Sequence, residues 1–330
     1  MLNIISDFIR SILPVKKKTT PSGWTSFNAP CCVHNGESAD TRGRGGLTAN
    51  PDGSVSFHCF NCNFKASYQP GRHLTFKFRK LLKWLGADDT DIKRLVIEAI
   101  RVRELVAPEE VKAEAEEEKI EFKARDLPDD AVNLVAMDYV HPALEYCVSR
   151  KIDIAKYAFY ATRQEQYNLH KRIIIPFIWQ GRTIGYTARA IEENVKPKYH
   201  SNYEPNFVFN INNQLADSKF VIVCEGPFDA MSIDGVAVLN NECNETQADI
   251  IESLGREVIV VADRDRAGAK MINNAVEYGW SVSYPVWLET SKDVNEAVVK
   301  YGKLCVMKTI LDAKQTSKLK IELMKKKLYN

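Results

Sequence analysis

The sequence predicts an α/β protein in which a small zinc-binding module and a linker precede a larger domain. Three observations support this prediction. The 330 residues are 45% hydrophobic and 27% charged, which suits about two globular domains at ~150 residues each. Four of the eight cysteines lie before residue 63, as expected of a metal site. From residue 220 onwards, apolar runs alternate with helical patterns, which is typical of a parallel sheet.

The overall charge identifies no partner. Lys and Arg number 45 and Asp and Glu number 43, a net charge of +2, so any basic surface must be local. No run approaches the ~18 apolar residues of a membrane span, and a charge interrupts the short apolar stretch at the start. We therefore expect no membrane contact, no signal peptide and a cytoplasmic protein, with scattered free thiols rather than disulfides.

Residues 1–75 are predicted to form a small β-rich zinc ribbon. The motifs Cys31-Cys32-Val33-His34 and Cys59-Phe60-Asn61-Cys62 have the spacing of two paired-ligand turns. Cys31, His34, Cys59 and Cys62 would close one structural zinc site without a water ligand. Cys32 or His58 could replace a neighbouring ligand, and the alternative to a metal site is a set of ordinary thiols.

The same segment carries aromatic and basic side chains suited to unpaired bases and phosphates. A purely structural clip is the alternative. These residues are Trp24, Phe27, Phe57, Phe60, Phe64, Tyr68, Arg42, Arg44, Lys65, Arg72 and His73.

Residues 76–130 are predicted to form a basic helix followed by an acidic, exposed linker. Residues 131–313 are predicted to form the main domain, and residues 314–330 a basic, amphipathic tail. The acidic linker and the tail are candidate docking segments for a partner on charge alone, although such runs are more often simply solvated.

Within the main domain, residues 172–178 and 181–186 predict antiparallel strands of an α+β subdomain, joined by a turn at Gln180 and Gly181. This basic subdomain is expected to pack on a doubly wound parallel sheet at about 219–300. The sheet strands are predicted at residues 220–224, 236–239, 258–262 and 281–287, because each is a continuous apolar run followed by a helical pattern.

Four acidic residues follow three of these strands: Glu225, Asp263, Asp265 and Asp293. The carboxyl ends of parallel strands share one edge, where ligands bind. Clustered carboxylates predict magnesium or manganese and suit phosphoryl transfer, with Glu225 also a candidate general base. The alternative for Asp265 and Asp293 is helix capping.

The motifs around Glu225, Asp263 and Asp293 resemble those of the Toprim fold. The stretch at 172–189, with Lys198, is similar to the basic RNA polymerase subdomain of primases, and the cysteine motifs are similar to the primase zinc ribbon. The chain thus resembles bacterial and phage DNA primases, most closely the stand-alone primases of tailed phages.

This resemblance implies synthesis of RNA primers from ribonucleoside triphosphates on single-stranded DNA. It implies that Glu225, Asp263 and Asp265 are catalytic and that these three residues and Asp293 hold magnesium. It further implies that nucleotide phosphates or template bind to Arg172, Arg189 and Lys198. The family often has a second acid where this chain has Asn295, which leaves the number of magnesium ions open.

No phosphate-binding P-loop occurs in the sequence, so a replicative helicase would be a separate partner chain. Two other functions share these motifs: a non-catalytic recombination mediator that binds DNA, and a Toprim nuclease. The chain is too short for the arched domain of a type IA topoisomerase.

Overall fold

The computed structural model describes residues 3–105, 121–162, 169–215 and 217–329. The chain is α/β, as predicted, and divides into two compact units: residues 1–117 with 252–256, and residues 118–251 with 257–330. The boundary falls inside the segment expected to be the linker, whose acidic part lies largely outside the described residues. Among the described helices, none is both long and apolar enough to cross a membrane.

The first unit contains a five-stranded antiparallel meander, in the order β1-β2-β3-β4-β5. In β4, Val55, Phe57 and Cys59 are buried whereas Ser56 is exposed, because alternate side chains of a strand face opposite sides. The strands are β1 (Lys17–Thr19), β2 (Thr25–Phe27), β3 (Gly45–Ala49), β4 (Val55–Cys59) and β5 (Lys65–Tyr68).

The described part of the first unit also contains three α-helices: α1 (Ile4–Ile12), α2 (Phe76–Trp84) and α3 (Asp89–Leu105). The basic helix expected in the linker is therefore two helices. Both pack on the core beside the sheet, since Leu81 of α2 and Leu95 of α3 are buried in one cluster with Ile9 of α1 and Phe57 of β4. Their apolar faces make them part of the first unit and not of a linker.

The second unit begins with an antiparallel sheet of order β10-β9-β8-β7-β6. The predicted hairpin joins β8 to β9, and its turn residues Gln180 and Gly181 have φ of 48° and 78°, as in a type I′ turn. Helix α4 (Pro142–Ser149) lies between the first two strands in sequence. The strands are β6 (Ala131–Asn133), β7 (Tyr160–Thr162), β8 (Arg172–Trp179), β9 (Arg182–Ala190) and β10 (Tyr199–Asn202).

The other sheet of this unit has the order β12-β11-β13-β14-β15. The first four strands are parallel, as predicted, and β15 is antiparallel to β14. The strands are β11 (Phe220–Cys224), β12 (Val236–Ala237), β13 (Glu257–Val260), β14 (Ser281–Ser283) and β15 (Lys314–Gln315). The helices are α5 (Pro227–Ile233), α6 (Glu245–Glu252), α7 (Gly268–Tyr278), α8 (Val294–Tyr301), α9 (Lys303–Asp312) and α10 (Lys318–Tyr329).

Three strands, β12, β13 and β14, end before their apolar runs do. After β12, Leu239 adopts a φ of 65°, which turns the chain out of the sheet. After β14, Pro285 precedes a 3₁₀ turn over Val286–Glu289. Residues 314–330, predicted as a basic, amphipathic tail, supply β15 and α10, and Ile321 of α10 is buried, with its carbonyl accepting a hydrogen bond of 2.9 Å from the Tyr284 hydroxyl.

The two sheets of the second unit share a core. Ile173 and Phe177 of β8 belong to the same buried cluster as Phe228 and Met231 of α5, so the antiparallel subdomain packs on the parallel sheet, as predicted. Beside this core, the buried Gln247 side chain donates hydrogen bonds of 2.9 Å and 2.8 Å to the carbonyl oxygens of Phe207 and Val238. The side-chain amide of Gln247 therefore links the segment at Phe207 to the segment at Val238.

We expect Gln247→Leu to lower the free energy of unfolding by about 2 kcal/mol or more, because it leaves two buried carbonyl groups without their donor. Urea unfolding followed by circular dichroism measures the change. Gln315→Leu is the matched control, since that side chain is half-buried and makes a long hydrogen bond of 3.4 Å to Ala313. Equal losses of stability in both variants would contradict the role assigned to Gln247.

Candidate functional site

Four cysteines of the first unit converge on one point. The sulfur atoms of Cys31, Cys32, Cys59 and Cys62 all lie within 4.8 Å of one another. The Sγ–Sγ distances are 3.4 Å for Cys31 and Cys62 and 3.5 Å for Cys32 and Cys59. A tetrahedral ion with metal–sulfur bonds of about 2.3 Å holds sulfurs about 3.8 Å apart, so the four thiols fit one such ion with little adjustment.

The surroundings of these thiols favour a bound cation. Burial raises the pKa of Cys31 far above its usual range and that of Cys32 to about 11. At Cys62 burial acts in the same direction, but hydrogen bonds, first from the Phe64 amide, outweigh it and lower the pKa. Buried thiolates that repel one another need a cation to remain ionised together. The donor chemistry and the geometry therefore both fit a metal ion.

The structure corrects the predicted ligand set at one position. His34 does not belong to the cluster, and Cys32 takes its place. The imidazole of His34 instead stacks on the indole of Trp84, with 4.8 Å between ring centroids and 4° between planes. His58, the other alternative, lies outside the cluster as well, 4.3 Å from the Phe60 ring.

The predicted acidic residues lie where the parallel strands end. Glu225 directly follows β11, Asp263 and Asp265 follow β13, and Asp293 precedes α8. The Asp263 amide donates a hydrogen bond of 3.0 Å to Oε1 of Glu225, which joins the first two strand ends. A Cβ on Gly268 would collide with the Asp263 carbonyl oxygen and meet the Glu225 carboxylate, so glycine lets α7 begin against this pair.

Glu225 and Asp263 are the chemically distinctive members of this group. Burial, with the charges of Asp265 and Asp229, raises the pKa of Glu225 to about 7. Burial and the charges of Glu225 and Asp293 raise the pKa of Asp263 to about 8. A nearby cation would therefore strongly stabilise the ionised form of both carboxyl groups.

The other two predicted acids also serve as helix caps. Asp265 Oδ1 accepts a hydrogen bond of 3.0 Å from the Gly268 amide, and Asp293 Oδ1 accepts one of 2.8 Å from Glu296. The capping alternative is thus correct for one oxygen of each carboxylate, and each has a second oxygen for other partners. Among the described residues, no three carboxylates come together as closely as the cysteine sulfurs do.

This spacing suits magnesium, which retains several waters and uses one or two carboxylates together with substrate phosphates. The fit rests on the partly buried pair of Glu225 and Asp263, which the Asp263 amide links and whose raised pKa values favour a nearby cation. Glu225 and Asp263 are thus the residues best placed to hold a divalent cation.

One acidic residue at this edge was not predicted as a site residue. Asp229 of α5 is 7% exposed, and burial, with the charges of Asp293 and Asp263, raises its pKa well above the usual range. Its Oδ1 accepts a hydrogen bond of 2.9 Å from the Asn295 amide. Its position in the first turn of α5, shortly after Glu225, is the sequence feature that could have identified it.

Asn295, which stands where the family often has an acid, is fully engaged in the fold. Its Nδ2 donates to the Arg150 carbonyl at 2.9 Å and to the Ser232 hydroxyl at 2.7 Å, and its Oδ1 accepts from Arg150 at 3.0 Å. Its 1% exposure makes it a structural link between α4, α5 and α8.

Arg172 supports a loop from within the fold. Only 4% of the residue is exposed. Its guanidinium donates hydrogen bonds to the carbonyl oxygens of Ala188 at 3.2 Å, Lys198 at 3.3 Å and Pro197 at 2.6 Å. The predicted direct contact with nucleotide or template does not fit this burial, because backbone carbonyls take the donors that a phosphate would need.

Arg189 is likewise enclosed. It donates hydrogen bonds to the hydroxyls of Tyr146, at 2.7 Å, and Tyr199, and its guanidinium lies 4.7 Å from the centroid of the Phe228 ring. Its charge also favours the ionised form of Asp229. Arg189 therefore acts on the acidic edge as a fixed, buried positive charge.

Lys198 is the third predicted basic residue, and its charged group interacts with the carboxylates of the acidic edge. Burial and then the charge of Arg189 lower its pKa, whereas Asp293 and Asp229 oppose this change. The loop that Arg172 holds thus places the Lys198 ammonium group in the field of the carboxylates.

The metal content of purified protein tests the ligand set. We expect Cys32→Ser to lose most of the ion bound by the first unit, because one of four sulfur donors is removed. His34→Asn should retain the ion, since the imidazole contacts Trp84 and not the cluster. Mass spectrometry of the metal in both variants measures this, and the reverse result would restore His34 as a ligand.

The acidic pair predicts a pH dependence of stability. With no divalent ion added, we expect the urea midpoint of the second unit to fall as pH rises from about 5 to about 8. In this window unfolded carboxyl groups, with pKa values near 4, have lost their protons while the folded ones retain them. Asp263→Asn should flatten the dependence, and Asp312→Asn, exposed on α9, should not. A midpoint that rises over this window would contradict the raised pKa values.

Comparison with known proteins agrees with this geometry. The Toprim-like family model matches residues 222–298, the part that contains all four predicted acids. A DNA primase of Aquifex aeolicus is 26% identical over 152 residues, which are 40% of this chain and 30% of that protein. The chain thus spans about a third of the length of this curated relative.

Solved structures give similar matches. The zinc-binding and RNA polymerase domains of the Aquifex aeolicus primase match with a TM-score of 0.45 and 17% identity, over 94% of this chain and 83% of that one. The RNA polymerase domain of the Mycobacterium tuberculosis primase, in complex with a double-stranded DNA oligomer with a 6-nucleotide overhang, matches with a TM-score of 0.45 and 18% identity, over 56% and 76%. Residues 222–298 thus match a Toprim-like family model, in a chain that is similar in sequence to a bacterial DNA primase over 40% of its length.

Proposed function

We propose that the protein is a DNA primase, a nucleotidyltransferase that joins ribonucleoside triphosphates into short RNA primers on single-stranded DNA. The observation that carries this proposal is the partly buried carboxyl pair of Glu225 and Asp263, which the Asp263 amide links at the carboxyl edge of the Toprim-like sheet. Sequence similarity to a bacterial DNA primase supports primer synthesis over other uses of such an edge.

Magnesium or manganese held by Glu225, Asp263, Asp265 and Asp293 would supply positive charge for phosphoryl transfer. The residues of the chain do the rest. Glu225, at the end of β11, is the residue we assign to accept a proton from the attacking hydroxyl group. The buried side chains of Asp229 and Arg189 contribute to the electric field at this edge.

Nucleotide binding requires positive charge beside these acids. Lys198 supplies it on the loop held by Arg172, and a lysine there suits the phosphates of an incoming nucleotide. Arg172 and Arg189 assist by position and by charge, not as exposed contacts. The two anionic substrates, template and triphosphate, are thereby brought to carboxylates that alone would repel them.

In the first unit, we assign zinc to the four cysteines, because soft thiolate ligands at tetrahedral spacing select it. The ion is structural, since the four sulfurs leave no open position. Phe60, 62% exposed next to Cys59, and Arg44, which donates a hydrogen bond to Asn61, offer an aromatic face and a charge beside the metal turn. This combination suits template bases and phosphates.

The remaining partners follow from the same proposal. A primase works at an unwound template, so a replicative helicase on a separate chain is the expected partner. The place of action is the bacterial cytoplasm, including that of a phage-infected cell. The basic tail is part of the folded second unit through Ile321, so docking there would involve the outer face of α10.

Incorporation of labelled ribonucleotides on a pool of single-stranded DNA templates, with magnesium, tests the function. We expect short RNA products from the wild type and a loss of at least about 100-fold in Asp263→Ala, because one removed transition-state contact costs about that much or more. Cys59→Ser should chiefly change which templates are used, because it alters the metal turn of the first unit.

Asp312→Asn, outside the acidic edge, is the control and should retain synthesis. Magnesium-dependent cleavage of DNA in place of synthesis would identify a Toprim nuclease. Tight DNA binding without synthesis, also when helicase is added, and unaffected by Asp263→Ala, would identify a recombination mediator.

A further inference from the structure

We propose that Lys292 is an exchangeable cation of the acidic edge, which pairs with Asp265 and moves to a triphosphate oxygen when a divalent ion takes Asp265 as a ligand. This inference rests on the proposed function for the identity of the triphosphate. It assigns a role in metal and nucleotide binding to a residue outside the predicted site.

The ion pair occupies an oxygen that a metal ion would use. Lys292 Nζ lies 3.2 Å from Oδ2 of Asp265, while Oδ1 of Asp265 accepts the hydrogen bond from Gly268 that caps α7. The capping oxygen is fixed by the helix, so Oδ2 is the atom available to a divalent ion. A cation that binds Oδ2 therefore competes with Lys292 for that oxygen.

The backbone of Lys292 is held while its side chain is accessible. Its carbonyl accepts a hydrogen bond of 2.9 Å from the Arg264 amide, and its own amide donates one of 2.8 Å to Glu296. Its side chain is 52% exposed and that of Asp265 is 37% exposed. The ammonium group can thus change partner without movement of the strand ends, on a flexible four-carbon stem.

The charges around the pair favour such an exchange. Asp265, Asp263 and Asp293 all raise the pKa of Lys292, so its ammonium group lies in the field of the predicted metal ligands. A divalent ion at this edge adds two positive charges and removes most of that attraction. The phosphates of a nucleotide held by the ion then become the nearest anionic partners.

This arrangement predicts opposite effects on two ligands. Lys292→Met removes the competitor for Asp265, so we expect Mn²⁺ to bind about two- to fivefold more tightly, the range of a partly exposed ion pair. In saturating Mn²⁺, the same variant should bind ATP about two- to fivefold more weakly, because one phosphate contact is lost. Electron paramagnetic resonance of free Mn²⁺ and equilibrium binding of labelled ATP measure the two affinities in the full chain.

Lys270→Met is the matched control, since Lys270 is similarly exposed and forms a 2.7 Å ion pair with Glu242. It should change neither affinity, and Lys292→Arg, which keeps the charge, should stay close to the wild type in both. Unchanged or weaker Mn²⁺ binding in Lys292→Met would overturn the proposal, as would ATP binding that is unaffected. Neither measurement requires primer synthesis, so a failure of the exchange and a failure of the primase proposal are separate results.

Discussion

The main constraint on the second unit is the mutual repulsion of the carboxylates that its fold holds at one sheet edge. Glu225, Asp263 and Asp229 are brought there by β11, β13 and α5, and each has a raised pKa because burial and its neighbours oppose ionisation. The buried guanidinium of Arg189 and the ion pair of Lys292 offset part of that cost. Such an arrangement is stable with protons or with cations, and divalent ions offset the repulsion most completely at neutral pH.

The sequence was most informative where burial imposes a pattern. Strands of a parallel sheet are covered on both faces, so they are continuous apolar runs, and β11 was predicted at its observed bounds. The order of the strands and of the acids that follow them came from the same pattern, which is why all four predicted acids lie at the carboxyl edge, although β12, β13 and β14 end before their apolar runs do. The hairpin at Gln180 and Gly181 was equally clear, because two successive positive φ angles require particular residues.

Side-chain direction and the choice of partner could not be predicted from spacing. Cys31 and His34 have the spacing of a paired-ligand turn, yet an aromatic neighbour distant in sequence, Trp84, takes the imidazole. Arg172 is of a residue type that binds phosphate, but its donors meet three carbonyl oxygens, which folding brings near from β9 and from the loop before β10. Helices α2 and α3 were predicted to belong to the linker for a similar reason. Their apolar faces pack on the core of the first unit, which the local sequence pattern does not reveal.

The two candidate metal sites differ in a way that keeps their ions distinct. The first unit offers four sulfur donors that close a tetrahedron, whereas the second offers spaced carboxylates that leave room for water and phosphate. Soft thiolate ligands favour zinc over magnesium, whereas carboxylate and water ligands suit magnesium and manganese. Because selectivity resides in the donor atoms, one chain can keep a permanent ion for folding and exchange another with each nucleotide. Exchange is suited to the acidic edge, since Asp265 gives one oxygen to the Gly268 amide and the other, at a partly exposed position, to Lys292.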